Sequence, residues 1–399
     1  MSADTSVGEL LDEIKVIDVD THVIEPYDLW TSRMSVQKWG DRVPHVVFDE
    51  KSQRDVWLTG DNVLRNACSA AYAGHDQAPP NNPRRWSQVK TETWEPRERL
   101  DLMTRYGIHA AVLYPNVPGF GAGKFGNVAG FDGELALEMI RTYNDFLVDF
   151  SATDPTRYIP IMAVPFWDVD VALAEMARAA ALGHRGLIFS QQPDLFGCPS
   201  LGDRHWDRIW AAAQEMGLSI NFHTGSGDDD INLLPPDAGR HANYASVCAL
   251  IFMGNARTIA TMIGSGVCHR YPDLQIVSVE SGVGWIPFVL QGIDWMWKES
   301  AVVKEHPEYE LLPSEYFRRQ MYGCFWFEDG PTLAAAIDYL GADRVLYETD
   351  FPHPTSMSPG PASTAMPAKD FIANNLAHLP EATLRKILHD NAASLYKID

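Results

Sequence analysis

The chain has 399 residues, is 46% hydrophobic and carries a formal charge of −21 at neutral pH. That acidity excludes a nucleic-acid or anionic-membrane partner, because phosphate groups need a basic surface. The length is generous for two ordinary domains and normal for one barrel with insertions, so residues 1–399 are expected to form a single domain.

Residues 1–15 are acidic and amphipathic with no basic or apolar leader, which predicts a cytoplasmic location. The first strand is predicted at residues 16–22, a β-branched run closing on Asp20-Thr21-His22. Because a strand alternates its side chains, Asp20 and His22 point the same way at its carboxyl end. Residues 26–95 then form a long insertion, rich in tryptophan and proline, that is expected to cover the active site. Further strands are predicted at 110–114, 159–164, 185–189, 218–223, 275–280, 321–325 and 344–349. Helical patterns lie between them, such as 171–182 stopped by Gly183 and 206–216 stopped by Gly217. Eight alternating strand–helix units predict a closed parallel (β/α)8 barrel, a TIM barrel. An open doubly wound sheet is the alternative, but no dinucleotide fingerprint follows the first strand. The five cysteines are scattered and odd in number, so neither a disulfide frame nor a zinc ribbon is expected.

In such a barrel the site lies at the carboxyl ends of the strands. The first, fifth and eighth strands end there in Asp20, His22, His223 and Asp350, a nitrogen/oxygen set suited to zinc first, with manganese or iron as alternatives. The sixth strand adds Glu280, either as a base or as a carboxylate holding a ligand histidine. Asp350, Glu280 and His223 are the candidate catalytic residues. Substrate-binding candidates are Glu25, Tyr114, His205, His353 and Trp86, with Glu25 also readable as a structural hydrogen bond at the loop start. The glycine-rich residues 119–126 lack a phosphate-loop ending and are expected to be a flexible lid, and the acids Asp228 to Asp230 a solvated turn.

The segments at residues 16–30, Phe222-His223-Thr224-Gly225, Glu280-Ser281-Gly282 and Thr349-Asp350-Phe351-Pro352-His353-Pro354 resemble the amidohydrolase-related group that includes aminocarboxymuconate semialdehyde decarboxylase. The resemblance runs in order from about residue 14 to residue 395. It implies a metal-bearing barrel with one divalent ion, commonly zinc or manganese, nonoxidative decarboxylation or hydrolysis, and a homodimer. By position, Asp20, His22, His223 and Asp350 match the group's ligands. Two departures stand out: Asp20-Thr21-His22 replaces the His-x-His of many decarboxylases, and Glu280 stands where they carry an acid/base histidine.

A carboxylate beside a divalent ion is favoured in its ionised form and suits a base better than an acid. The expected activity is therefore hydrolysis of a small cyclic or aromatic substrate with metal-activated water. The alternatives are nonoxidative decarboxylation of an aromatic or muconate-like acid, and an inactive barrel used as a binding module.

Overall fold

Every apolar run becomes a parallel strand of one sheet in the computed structural model, which describes residue 11 and residues 13–398 apart from 122, 127–130, 227–232 and 329. The chain enters on β1 (Ile17–His22) and makes a separate three-stranded sheet, β2 (His45–Asp49), β3 (Arg54–Thr59) and β4 (Asn62–Asn66). The barrel then continues through β5 (Ala110–Tyr114), β6 (Tyr158–Ala163), β7 (Gly186–Ile188), β8 (Ser219–His223), β9 (Ile276–Val279), β10 (Met321–Phe325) and β11 (Val345–Tyr347). Neighbours pair in the order β1-β5-β6-β7-β8-β9-β10-β11. Strands covered on both faces read as continuous apolar runs, and β5 is accordingly buried at every residue.

The last strand returns to the first. Thr21 bridges Phe351 in parallel, His22 N donates to Phe351 O at 2.7 Å and Asp350 N to Asp20 O at 2.9 Å. Below this seam the buried Asp18 carboxylate accepts from Thr349 N at 2.9 Å and from Thr349 Oγ1 at 2.5 Å. Burial pushes the Asp18 carboxyl up to about 7. The opposite end of the barrel is plugged by helix Asn391–Tyr396, whose Tyr396 hydroxyl reaches Asn221 Oδ1 at 3.1 Å inside the barrel.

The insertion over residues 26–95 contains an antiparallel meander, not foreseen in the sequence, that pairs Val47 with Val56 and Leu58 with Val63. It is anchored by the buried Trp57 ring, edge-on to Trp30 at 5.0 Å, while Trp30 Nε1 donates to Met139 O at 3.0 Å. After β8, helices Arg240–Ile251 and Asn255–Gly264 follow closely; the first has no buried residue and the second packs Ile259, Met262 and Ile263 onto the barrel. The expected acidic turn, Asp228 to Asp230, lies outside the described residues.

Candidate active site

Asp20 and His22 end β1, His223 ends β8, and Asp350 lies three residues past β11. Their ligand atoms fall within 4.8 Å of one another and all four residues are buried. His22 Nε2 stands 3.4 Å from Asp20 Oδ1 and 3.5 Å from Asp350 Oδ1, and His223 Nε2 is 3.5 Å from Asp20 Oδ2. The far nitrogen of each ring faces a backbone carbonyl, His22 Nδ1 to Pro115 O at 3.2 Å and His223 Nδ1 to Thr224 O at 2.6 Å. A carbonyl only accepts, so each ring carries its hydrogen on Nδ1 and presents the Nε2 lone pair inward. The two Nε2 atoms are 3.1 Å apart. Both oxygens of the buried Asp20 carboxylate lack a hydrogen-bond donor. Converging lone pairs and orphaned carboxylate oxygens repel unless a cation lies among them, so these four residues fit a divalent ion.

Asp350 and Glu280 both adopt left-handed backbone, with φ of 58° and 48°. Such conformations are costly for residues other than glycine and cluster at functional sites. Here they turn two carboxyls toward one hydroxyl: Thr355 Oγ1 lies 3.0 Å from Glu280 Oε1 and also contacts Asp350 Oδ2. One hydroxyl hydrogen serves only one carboxylate, which favours a proton on the other carboxyl. Burial first, then the Asp350 and Asp20 charges, push Glu280 well above the usual carboxylate range, while burial lifts Asp350 to about 6. These shifts favour the proton on Glu280 over Asp350, whereas the sequence pointed to an ionised base. Glu280 Oε2 also faces His223 Nδ1 at 3.5 Å.

His353 arrives as well. Its ring stacks on His22 at 3.7 Å, with Nδ1 2.7 Å from Asp350 Oδ1 and Nε2 2.7 Å from Asn116 Oδ1. Glu25 is buried and accepts from Asn116 N at 2.7 Å and Val117 N at 2.9 Å, the hydrogen bond at the loop start that was one of its two readings. Tyr114 lies beneath the ligand histidines with its hydroxyl on Asn221 Oδ1 at 3.1 Å. Trp86 packs against Tyr27 and Trp94 in the insertion. His205 sits against Trp206 before helix Asp207–Met216, its backbone N–H on Asp203.

A cavity of about 420 Å³ lies beside the ligands, lined by Arg65, Ser69, Asn116, Phe120, Lys124 and Phe196 among others. Phe120 packs against His223 in a tilted arrangement with ring centroids 4.2 Å apart. Arg65, on β4, donates to Asn116 O at 2.6 Å and Ser69 Oγ at 3.2 Å, both neutral acceptors. The expected lid thus supplies cavity wall through Gly119, Phe120, Gly121, Gly123 and Lys124, and the insertion supplies Arg65. Sequence reasoning missed Arg65, Asn116 and Thr355, which lie on the meander or in loops with no periodic signal. It also missed Arg99, whose buried guanidinium donates to His22 O at 2.7 Å and holds the end of β1.

A parallel barrel whose first, fifth and last strands deliver two histidines and two carboxylates to one mouth defines a metal-dependent barrel enzyme. The Amidohydrolase family profile matches residues 17–398, and the chain belongs to that family. Among curated relatives, the gamma-resorcylate decarboxylase of Polaromonas sp. (strain JS666) is 27% identical over 329 residues, covering 79% of this chain and 91% of that protein. An amidohydrolase from Mycobacterium avium subsp. paratuberculosis K-10 superposes with a TM-score of 0.73 at 22% identity, covering 96% of this chain and 99% of that one. The Polaromonas dihydroxybenzoic acid decarboxylase, solved with manganese and the inhibitor 2-nitroresorcinol, superposes with a TM-score of 0.62 at 22% identity over 96% and 97% of the two chains.

Proposed function

We propose that the protein is a nonoxidative, metal-dependent decarboxylase of a hydroxylated aromatic acid, which reverses the order of the two chemistries expected from the sequence. The observation that carries this reading is the shared hydroxyl of Thr355. It leaves Glu280 holding a proton beside the cavity, which suits an acid that must protonate carbon and poorly suits a base that must deprotonate water. The names of the relatives, decarboxylases of gamma-resorcylate and dihydroxybenzoic acid, point the same way.

Phe120 and Phe196 give the cavity aromatic wall suited to a flat ring, and Arg65 with Lys124 supplies positive charge for an anionic substituent in a protein that is otherwise strongly acidic. When bound at Asp20, His22, His223 and Asp350, a divalent ion supplies Lewis-acid attraction for the substrate carboxylate and a neighbouring oxygen. We place manganese ahead of zinc, because half of the donors are carboxylates and the Polaromonas decarboxylase holds manganese. The ring–carboxylate bond breaks with its electron pair left on the ring carbon, carbon dioxide departs, and Glu280 or Asp350 delivers one proton to that carbon. No oxidant is required. Phe120 over His223 limits water beside the reacting carbon.

The test uses the manganese-loaded protein, a panel of hydroxybenzoates, amides and lactones, and solvent enriched in oxygen-18. Carbon dioxide release without incorporation of labelled oxygen into the product is the expected result. Incorporation of label without carbon dioxide would restore hydrolysis.

We also propose a homodimer. Helix Ile286–Glu299 leaves Phe288 81% and Trp295 63% exposed, an apolar face of the kind that copies of a chain cover. Light scattering that returns the monomer mass would exclude it.

A further inference from the structure

Away from the barrel mouth, the insertion and the helix that follows β8 bring three arginines to one corner. Arg54 opens β3, and its Nη1 donates to Asn82 Oδ1 at 2.7 Å. The neighbouring Asn81 donates from Nδ2 to Ala78 O at 2.8 Å, which turns its Oδ1 to Arg240 Nη2 at the start of helix Arg240–Ile251. Arg84 joins them from the same loop, because the N–H of Asp55, next to Arg54 in the chain, donates to Arg84 O at 2.8 Å. His241 Nδ1, 2.7 Å from Pro79 O, fastens the helix to the insertion beside them.

These charges are uncompensated. The partners of Arg54 and Arg240 are neutral amides, while Asp55 is occupied by Arg85 Nε at 3.3 Å and Trp86 N at 2.7 Å. Among the described residues no carboxylate forms an ion pair with Arg54, Arg84 or Arg240. Burial, then the charges of Arg84 and Arg240, hold the Arg54 guanidinium below its ordinary range, so the three cations repel one another. A chain with 53 acidic residues against 32 basic ones has carboxylates to spare, yet none is set among these arginines. Helix Arg240–Ile251 adds the positive end of its dipole, with no side chain capping its first turn.

We propose that Arg54, Arg84 and Arg240 form a docking site for a multiply charged oxyanion, a phosphoryl group carried free as phosphate or on a small molecule as a monoester. Guanidinium forks match the paired oxygens of a phosphate, and three of them supply the charge to hold a dianion. The site stands apart from the cavity lining but adjoins it: Asp55 O accepts from Ala67 N at 2.9 Å, one residue past Asn66 of the cavity wall. An anion held by all three arginines ties the insertion to the helix after β8. The inference depends neither on the metal site nor on the identity of the reaction.

The test is equilibrium dialysis of the metal-loaded protein against radiolabelled inorganic phosphate, with glycerol phosphate as competitor. Uptake of one equivalent is expected, with a Kd raised roughly 10- to 100-fold in Arg54→Gln and in Arg84→Gln and unchanged in Arg65→Gln, which removes a cation from the cavity instead. Displacement of the label by less glycerol phosphate than unlabelled phosphate assigns the site to a phosphate ester, and the reverse order assigns it to phosphate itself. No uptake at millimolar phosphate overturns the proposal, as does uptake that Arg54→Gln and Arg84→Gln leave unchanged. Arg84 is exposed, so Arg84→Gln decides if Arg54→Gln, deprived of its bond to Asn82, fails to fold.

Discussion

His22 and His223 point their Nε2 atoms at each other across the barrel mouth, 3.1 Å apart, each ring turned inward by a backbone carbonyl on its other nitrogen. This opposition is stable only with a cation between the rings or with one ring protonated. Chelation should therefore abolish activity and lower the melting temperature, since an ion held at a thousandfold above its Kd contributes about 4 kcal/mol to the folded state. His223→Ala should lose the ion as well. Full turnover and an unchanged melting curve after metal removal would sink the metal site.

Asp350 is a proposed ligand, a seam residue and a partner of Thr355. Asp350→Asn keeps the size of the side chain, and its fold should survive with the backbone bond to Asp20 O intact. Turnover should fall by roughly 10²- to 10⁴-fold, the range for a lost acid–base group. Near-wild-type turnover in steady-state kinetics would remove Asp350 from the chemistry.

Thr355→Val deletes the hydrogen shared by Glu280 and Asp350 without removing either carboxyl. A hydrogen bond to a charged group is worth about 1.5–3 kcal/mol, so kcat should drop roughly 10- to 100-fold with KM little changed, and Thr355→Ser should restore most of it. A rise in KM at constant kcat would instead make Thr355 a substrate contact.

Arg65→Gln tests the opposite wall of the cavity. The guanidinium donates to neutral acceptors and feels the Glu25 carboxyl only through space, so its hydrogen bonds leave charge for a substrate anion. KM should rise roughly 10- to 100-fold with a smaller change in kcat. Unchanged KM across the hydroxybenzoate panel would assign Arg65 to holding Asn116 alone.

Far from the site, burial pushes the His184 imidazole down from 6.5 to about 4, with Nε2 on Asn144 O at 3.1 Å and Nδ1 unpartnered. Above pH 6.5 both folded and unfolded chains hold it neutral, and it has no effect. Below 6.5 the unfolded chain takes up a proton that the folded chain refuses, so stability falls until about pH 4, by about 3 kcal/mol in total. Denaturant melts of metal-free protein between pH 4 and 6.5 should show a shallower slope for His184→Gln than for wild type. Parallel slopes would refute the assignment.

The barrel was legible in the sequence because parallel strands buried on both faces leave continuous apolar runs, including residues 321–325, which carry the glycine of β10. The convergence of Asp20, His22, His223 and Asp350 was legible because strand ends bring them to one face. The meander of β2 to β4 was not, because its residues are mostly half-buried and its alternation is weak between the tryptophans. Arg65, Asn116 and Thr355 reach the site from loops and an added sheet, where no period marks which side chain turns inward. The contact of Glu280 with Thr355, 75 residues later in the chain, was not legible because it is identifiable only in three dimensions.

The seam between β1 and β11 joins residues as far apart as Asp18 and Thr349, 331 positions along the chain, and Asp20, His22 and Asp350 of the four ligand-type residues lie on it. No amino-terminal fragment ending before Asp350 contains the full ligand set. Ion capture must then be a late event in biosynthesis, confined to a chain whose last strand has been made. Premature termination anywhere upstream should yield protein unable to retain the ion.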